Sequence, residues 1–186
     1  MMPSFSVDVA IVGNGVAGCA TALALHQHGV GRIAIIGPKP CGQPRVGESI
    51  PPDARLLLQT LGLWEEFEQQ GHEQCVGSCS IWGSIEPGYN DFMINPYGPG
   101  WHLDREKFEA LLRRKAREIG VMYFVGQVRS TIHKSSQGTT LQIEGPDNCR
   151  MYSPIVVDAT GIHAGVARRL GAKRYHLDQL LFLCGV

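Results

Sequence analysis

A short apolar strand, followed at once by a glycine-rich turn and a helix, opens this sequence and limits its fold most strongly. Residues 7–12 are apolar and rich in β-branched side chains, and the six residues after them read Gly-Asn-Gly-Val-Ala-Gly. A helix-forming stretch at 19–28 and a second apolar run at 32–36 complete a strand-helix-strand order. A glycine-rich turn in this position is typical of dinucleotide-binding proteins. The pattern therefore predicts a Rossmann-type unit at the start of the chain.

The three glycines of this turn have separate expected roles. Gly13 permits the tight turn, Gly15 lets a pyrophosphate approach the backbone, and Gly18 lets helix and strand pack closely. Such a unit usually carries an acidic residue about 20 residues further on, where it binds the ribose. Here the second strand ends in Ile-Ile-Gly-Pro-Lys, and Gly37 or Pro38 occupies the place of the acid. The ribose is then held by backbone and water or by another residue, and the pattern does not choose between them.

The remaining sequence alternates helical and strand patterns. A Pro-Pro-Asp sequence at 51–53 opens an amphipathic helix, and Asp104 can cap a second one, whose apolar residues recur at three- and four-residue steps. A short helix is expected at 63–70 and another at 164–170. The helix after Asp53 is expected to bury Leu56, Leu57, Thr60 and Leu61. Strands are predicted at 78–85, 91–95, 101–103, 121–125, 127–133, 139–144 and 151–158.

Composition excludes several classes of function. Basic and acidic residues each number 17, so the formal net charge of +0 provides no field that would recruit nucleic acid or an anionic membrane. The amino-terminal residues lack the features of a signal peptide, and no apolar stretch reaches the roughly 18 residues of a spanning helix, so we expect a cytoplasmic protein. Cys75 and Cys79 lack a second Cys or His pair, which favours free thiols over a metal site. The apolar residues 179–186 resemble a strand entering a sheet, so the chain is expected to continue.

Three segments together resemble the flavin monooxygenase and tryptophan halogenase superfamily. They are the glycine-rich turn, Arg-Val-Gly-Glu-Ser-Ile-Pro-Pro at 45–52 and Val-Val-Asp-Ala-Thr-Gly at 156–161. Trp-His-Leu-Asp-Arg-x-x-Phe at 101–108 is also among the most specific parts. Within the superfamily the chain is similar to FAD enzymes that modify a residue of a partner polypeptide, such as the maturation flavoproteins of amino-acid oxidases and of quinohemoprotein amine dehydrogenase.

This resemblance implies an α/β fold with a Rossmann-like FAD-binding domain of the glutathione reductase type. It also implies the beginning of a second, substrate-facing β-sheet. The expected boundaries are 1–72 with 101–172 for a discontinuous FAD-binding domain. The incomplete substrate-facing sheet is expected at 73–100 with 173–186.

The resemblance also implies which residues contact FAD. In the family, the segment that matches 47–49 lies beside the isoalloxazine, the arginine that matches Arg105 helps hold FAD, and the segment that matches 158–161 packs near the cofactor. Glu48 is the candidate catalytic residue. The alternative is that its side chain only caps the following turn. The alternative for Arg105 is a surface residue in the first turn of a helix. The alternative for 158–161 is an ordinary strand-to-helix turn. The expected cofactor contacts are Gly13, Gly15, Val16, Ala17, Gly18, Arg45, Gly47, Glu48, Ser49, Arg105, Val128, Asp158 and Gly161.

The implied function is FAD-dependent hydroxylation of an aromatic or peptidyl substrate through a flavin C4a-hydroperoxide. Halogenases of the superfamily guide hypohalous acid with a lysine after the Gly-Glu motif, and no Lys occurs between Asp53 and Gly100, which favours oxygen transfer. A halogenase, an FAD-binding reductase of the geranylgeranyl type and a catalytically incomplete nucleotide-binding fragment stay open as alternatives. No second dinucleotide fingerprint occurs, so either NAD(P)H binds transiently as electron donor or a flavin reductase supplies reduced flavin.

Overall fold

The computed structural model describes residues 2–40, 49–83, 85–135 and 137–179. Its α-helices are α1 (Val16–Gln27), α2 (Ala54–Thr60), α3 (Trp64–Gln69), α4 (Arg105–Glu118) and α5 (Gly165–Arg169), and a 3-10 helix spans Gly161–His163. Its strands are β1 (Ser4–Ser6), β2 (Val9–Val12), β3 (Ile33–Gly37), β4 (Ser49–Ile50), β5 (Glu73–Cys75), β6 (Gly77–Ser80), β7 (Gly88–Asp91), β8 (Gly100–His102), β9 (Met122–Val125), β10 (Gln127–Ser135), β11 (Gly138–Glu144), β12 (Cys149–Ser153) and β13 (Ile155–Asp158).

A parallel sheet in the order β13-β2-β3-β9 forms the centre of the fold. Every residue of β2 and β3 is buried, because both faces of the sheet are covered. Val9 and Ile11 belong to one core cluster together with side chains of α1 and α4. Ala10 and Val12 belong to a second cluster on the opposite face. The predicted α/β, Rossmann-like architecture is confirmed.

A second sheet covers the opposite face of the parallel sheet. Its order is β1-β12-β11-β10, with β1 and β12 parallel and the other pairs antiparallel. Side chains of this sheet, such as Leu141, Ile143 and Met151, are fully buried against those of β2 and β3. The result is three layers: helices, the four-stranded parallel sheet and a four-stranded mixed sheet. The loops that follow the parallel strands lie at the carboxyl ends of that sheet.

The prediction of a single strand at 151–158 is wrong. The chain forms β12 and β13, which lie in different sheets and are separated at Pro154. Proline has no N–H to donate to a ladder, so pairing ends there. The Ser153 hydroxyl, fully buried, donates to the carbonyl of Ile155 at 2.6 Å and holds the crossing. The strand predicted at 7–12 is β2, whereas β1 precedes that range and is not predicted by the sequence pattern. β1 pairs with β12, and β2 pairs with β13.

The predicted inward face of α2 is also wrong at three positions. Leu56 and Leu57 are 42% and 68% exposed, and the exposed Thr60 donates its hydroxyl to the carbonyl of Leu56. Leu58 is buried and packs with the partly buried Leu61 in the helix-side core. Each residue turns a helix by about 100°, so a helix of 7 residues presents only a narrow stripe to the core.

The segment between β5 and β8 contains fewer strand residues than predicted. The strand expected at 78–85 is shortened to β6, and the strand expected at 91–95 is wrong, because β7 ends at Asp91 and residues 92–95 are not in a strand. β6 and β7 pair as an isolated hairpin. The Asp91 carboxylate accepts a hydrogen bond from the N–H of Met93, which turns the chain after β7. β5 instead pairs with β8 in a sheet that also contains β4. The boundaries expected for a substrate-facing sheet at 73–100 and 173–186 stay a prediction.

None of the described helices is both long enough and apolar enough to cross a membrane.

Candidate nucleotide site

The carboxyl ends of β2 and β13 meet at one edge of the parallel sheet. The chain leaves β2 toward β3 on one side, whereas β13 pairs with β2 on the other. This point of divergence is where open α/β sheets bind ligands. The N–H of Ala159, the residue after β13, donates to the carbonyl of Val12 at 2.8 Å. The glycine-rich turn and the segment after Asp158, far apart in sequence, therefore form one edge of the fold.

Each glycine of the turn has a distinct steric environment. Gly13 has φ +123°, and a Cβ placed on it would lie 2.1 Å from the carbonyl oxygen of Ala159. A Cβ on Gly18 would lie 1.9 Å from the carbonyl oxygen of Gly13. A Cβ on Gly15 would meet no atom of the described residues within 4 Å. Two glycines thus allow protein segments to approach each other, and the third faces open space that a phosphate group can enter.

The first turn of α1 offers backbone N–H groups to that space. No side chain of the described residues caps this helix at Gly15, and its first turn contains no acidic residue. The helix has 12 residues, so its N-terminus carries the partial positive charge of a full helix dipole. Val16 and Ala17 lie in this turn, Val16 partly buried and Ala17 exposed. The arrangement fits an anionic group such as a pyrophosphate.

Asp158 orders the loop that faces the glycine turn. Its carboxylate accepts hydrogen bonds from the N–H (3.1 Å) and hydroxyl (2.6 Å) of Thr160 and from the N–H groups of Val166 (3.0 Å) and Ala167 (2.8 Å). Burial raises the pKa of Asp158, but these hydrogen bonds together outweigh it, so the pKa lies below its ordinary value. All four partners belong to the protein, so Asp158 acts on the site by holding residues 159–165 in place.

A buried carboxylate holds Arg105, the first residue of α4. Glu109 is only 4% exposed, and its two oxygens contact Arg105 Nη2 at 2.8 Å and Arg113 Nη1 at 3.1 Å. The predicted helix cap is confirmed, since the Asp104 carboxylate accepts a hydrogen bond from the N–H of Lys107. α4 packs against α1, and apolar side chains of α4 share a core cluster with Cys19, one residue after the glycine turn. The three charged residues therefore lie on the helix that packs against α1.

Ser49 lies at a second place, in the sheet of β4, β8 and β5. Its hydroxyl contacts His102 Nδ1 at 2.9 Å. His102 also lines a cavity of about 450 Å³ together with residues 71–73 and 103–104. Burial lowers the pKa of His72 in that cavity, although Asp104 opposes the shift. The Trp-His-Leu-Asp-Arg segment thus connects this small sheet to Arg105.

Two expected contacts have environments that differ from those of the glycine turn. The Val128 side chain is 4% exposed within the core between the two main sheets, and its carbonyl accepts a hydrogen bond from Arg169. Gly161 is exposed, with φ +64° and open space where a Cβ would point. Arg45, Gly47 and Glu48 lie outside the described residues. The roles of all these residues toward a cofactor stay a prediction.

The family model described as "FAD binding domain" matches residues 6–181, which is nearly all of the chain. The chain belongs to the FAD binding domain family. The glycine turn, the uncapped first turn of α1 and the ordered loop after Asp158 fit the dinucleotide portion of FAD, which carries two phosphates and needs an open backbone.

Relatives of this FAD-binding domain include both halogenases and monooxygenases. The brominase of a 1H-pyrrole-2-carbonyl group on a peptidyl-carrier protein from Pseudoalteromonas luteoviolacea is 30% identical over 91% of this chain and 41% of the brominase. Squalene monooxygenase 1,2 of Brassica napus is 31% identical over 88% of this chain and 33% of that enzyme. The structure of CmlS, a flavin-dependent halogenase, has a TM-score of 0.80 at 27% identity over 95% of this chain and 33% of that one. The chain spans less than half the length of each.

Sequence reasoning did not identify three residues that shape the FAD-binding domain around its site. Thr160 accepts the N–H of Gly165 at 2.6 Å and so completes the loop that Asp158 holds. Glu109 orients Arg105, and the Arg-x-x-x-Glu-x-x-x-Arg spacing on one helix face was a usable indication of it. Asn14 covers Gly37, a contact that no spacing rule indicates.

Asp158→Asn is expected to lower the free energy of unfolding by about 2 kcal/mol at neutral pH. The asparagine amide replaces one acceptor oxygen by an N–H₂ group, which cannot accept hydrogen bonds from the donors around Asp158. It also lacks the negative charge that these donors stabilise. The folded-state pKa of Asp158 lies below its ordinary value of 3.8, so the stabilisation is complete at neutral pH and is lost as the pH falls through that folded-state pKa. Urea denaturation of both proteins at neutral and acidic pH should show the difference shrinking in acid.

The control for Asp158→Asn is Asp53→Asn, since Asp53 is an exposed residue at the start of α2 without a capping hydrogen bond. It is expected to leave the free energy of unfolding unchanged within about 0.5 kcal/mol. Equal effects of the two substitutions would show that the four hydrogen bonds of Asp158 contribute nothing specific.

Proposed function

We propose that the protein is an FAD-dependent monooxygenase that hydroxylates an aromatic or peptidyl substrate. Membership of the FAD binding domain family supports the cofactor, and a relative named as a monooxygenase supports the reaction class. The observation that carries the choice of oxygen transfer is the segment between Asp53 and Gly100, which contains no lysine. Halogenation in the superfamily needs a lysine in that region to guide hypohalous acid.

The residues divide into those that bind the cofactor and those that position others. The proposed pyrophosphate site consists of Gly13, Gly15 and Gly18 with the N–H groups of Val16 and Ala17. Arg105, oriented by Glu109, supplies a guanidinium to FAD. Asp158 positions the loop that includes Gly161. Ser49, Val128, Arg45 and Gly47 complete the proposed contacts.

Bound FAD supplies the activation of oxygen. Two electrons and two protons reduce O₂ so that one oxygen atom enters the substrate as a hydroxyl group and the other leaves as water. The electrons come from NAD(P)H or from flavin that a separate reductase has reduced. The cytoplasm, which provides NAD(P)H and FAD, is the proposed compartment. The partner is an aromatic small molecule or a polypeptide substrate, and no nucleic acid is involved.

Halogenation is the second candidate, because a brominase and a halogenase are among the similar proteins. Both reactions use reduced flavin and oxygen, so cofactor content alone does not separate them. The product separates them, since hydroxylation adds one oxygen atom and halogenation replaces hydrogen by a halogen.

The experiment starts from the purified full-length protein. Its absorption spectrum should show the two bands of oxidised flavin, and a colourless protein that takes up no added FAD would contradict the proposal. A panel of phenols and tyrosine- or tryptophan-containing peptides is then incubated with the protein, a flavin reductase, NADPH, oxygen and bromide. Mass spectrometry should find an oxygen-containing product whose oxygen derives from ¹⁸O₂. Brominated products with no oxygen insertion would instead establish the halogenase.

Glu48→Gln is expected to lower the turnover of the full-length enzyme by about tenfold, because the carboxylate is proposed to orient the flavin edge or a water molecule there. FAD content and hydroxylation rate are both measured. The matched control is Glu68→Gln, which removes an exposed carboxylate on α3. If Glu48→Gln leaves both FAD content and turnover unchanged, Glu48 has no role in the reaction.

A further inference from the structure

The end of β3 lacks the acidic residue that binds ribose in most Rossmann units. The position is taken by Gly37, which is buried and followed by Pro38 and Lys39. Gly37 does not have a left-handed backbone, so no backbone requirement excludes an acid there. The exclusion is steric: a Cβ on Gly37 would lie 2.4 Å from Cγ, 2.7 Å from Oδ1 and 2.8 Å from Cβ of Asn14. The side chain of Asn14 fills the path along which an acid would extend.

Asn14 is held in this place by hydrogen bonds at both ends. Its Nδ2 donates to the carbonyl of Pro38 at 2.7 Å, and its own carbonyl accepts from the Cys19 thiol at 3.5 Å. With Nδ2 engaged by Pro38, the amide presents Oδ1 as its second polar atom. None of the described residues donates a hydrogen bond to Oδ1 of Asn14. An amide oxygen accepts from a hydroxyl group as a carboxylate does, without adding a charge.

Asn14 also belongs to the glycine turn itself, between Gly13 and Gly15. An adenine dinucleotide whose pyrophosphate lies on this turn therefore carries its ribose close to Asn14. We propose that Asn14 replaces the missing acid, its Oδ1 accepting a hydrogen bond from a hydroxyl of the adenosine ribose of FAD. This inference deepens the proposed function, since it rests on FAD as the cofactor. Gly37 is then required because it leaves room for Asn14, and the backbone carbonyl of residue 38 orients the amide.

Binding of two cofactor forms tests the inference without any activity assay. The first is FAD, and the second is an FAD analogue whose adenosine lacks the 2′ and 3′ hydroxyl groups. Titration of the full-length apoprotein, followed by flavin fluorescence, gives the Kd of each. Asn14→Ala is expected to raise the Kd for FAD about tenfold, the value of one hydrogen bond, and to leave the Kd for the analogue within about twofold. Asn90→Ala, on exposed strand β7, is the control and should change neither Kd.

A reciprocal exchange tests the same contact in the other direction. Gly37→Glu alone places its Cβ against Asn14 and should bind FAD at least about tenfold more weakly. Combining it with Asn14→Gly removes the obstruction and rebuilds the usual arrangement, so the double variant should recover most of the affinity for FAD and retain the preference for FAD over the analogue.

Four outcomes decide the inference. The inference is supported if the unsubstituted protein binds FAD more tightly than the analogue and Asn14→Ala abolishes this preference. Equal loss of affinity for FAD and the analogue in Asn14→Ala would overturn it and assign Asn14 to loop structure alone. If the unsubstituted protein binds FAD and the analogue equally, only the role of Asn14 is refuted, whereas failure to bind FAD at all refutes the proposed function as well.

Discussion

Gly13→Ala is expected to lower the free energy of unfolding by roughly 3 to 5 kcal/mol. The new Cβ would lie 2.1 Å from the carbonyl oxygen and 2.5 Å from the carbonyl carbon of Ala159, and φ at this position is +123°. Neither side can yield easily, since Gly13 donates its N–H to Ile36 and Ala159 donates its N–H to Val12, both at 2.8 Å. Two sheet strands would have to separate to admit one methyl group.

Urea denaturation of the full-length apoprotein, followed by circular dichroism, measures this loss. Gly120→Ala is a matched control, because Gly120 also has a positive φ, +85°, but nothing lies within 4 Å of its Cβ position. It should cost only about 1 to 2 kcal/mol, the penalty of the left-handed backbone alone. If Gly13→Ala costs no more than Gly120→Ala, then the turn and the loop after β13 are not in close contact.

Gly15→Ala should affect the cofactor and spare the fold. Its φ of −81° suits any residue, and a Cβ there meets no protein atom within 4 Å, so the free energy of unfolding should stay within about 1 kcal/mol. The methyl group would instead occupy the space proposed for the pyrophosphate, and we expect the Kd for FAD to rise on the order of 100-fold. Titration of the full-length apoprotein with FAD measures this change.

The control for Gly15→Ala lies at the opposite edge of the parallel sheet. Gly31 precedes β3 and has no left-handed backbone, and the nearest atom to its Cβ position is 4.0 Å away on Asp8. Gly31→Ala should therefore leave FAD affinity unchanged. Unaltered FAD affinity in Gly15→Ala would place the pyrophosphate elsewhere and remove the main support for the proposed binding mode.

Local patterns predicted the parts of the site that depend on neighbouring residues. The roles of Gly13, Gly15 and Gly18 follow from their spacing between a strand and a helix, and the contacts around each glycine match those roles. The cap of α4 at Asp104 was equally visible in the sequence. These features need only residues a few positions apart, so a single sequence contains the information.

Other features depend on tertiary structure that no residue pattern shows. The contact of Asp158 with the cofactor stays a prediction, and the hydrogen bonds that its carboxylate accepts from the following loop have no signal in the sequence pattern. The division at Pro154 into two sheets was missed, because apolar residues continue on both sides of the proline. The contact of Asn14 with Gly37 joins the glycine turn to the end of β3, and their approach is set by the pairing of β2 with β3. Periodicity cannot reveal such contacts.

The pairing of β2 with β13 determines when the site can form during synthesis. β2 leaves the ribosome well before β13 and Ala159, which lie more than 100 residues later in the sequence. At roughly 5 to 20 residues per second, β2 waits several seconds with one apolar edge unpaired. The nascent chain therefore exposes an aggregation-prone strand edge before it can bind its nucleotide.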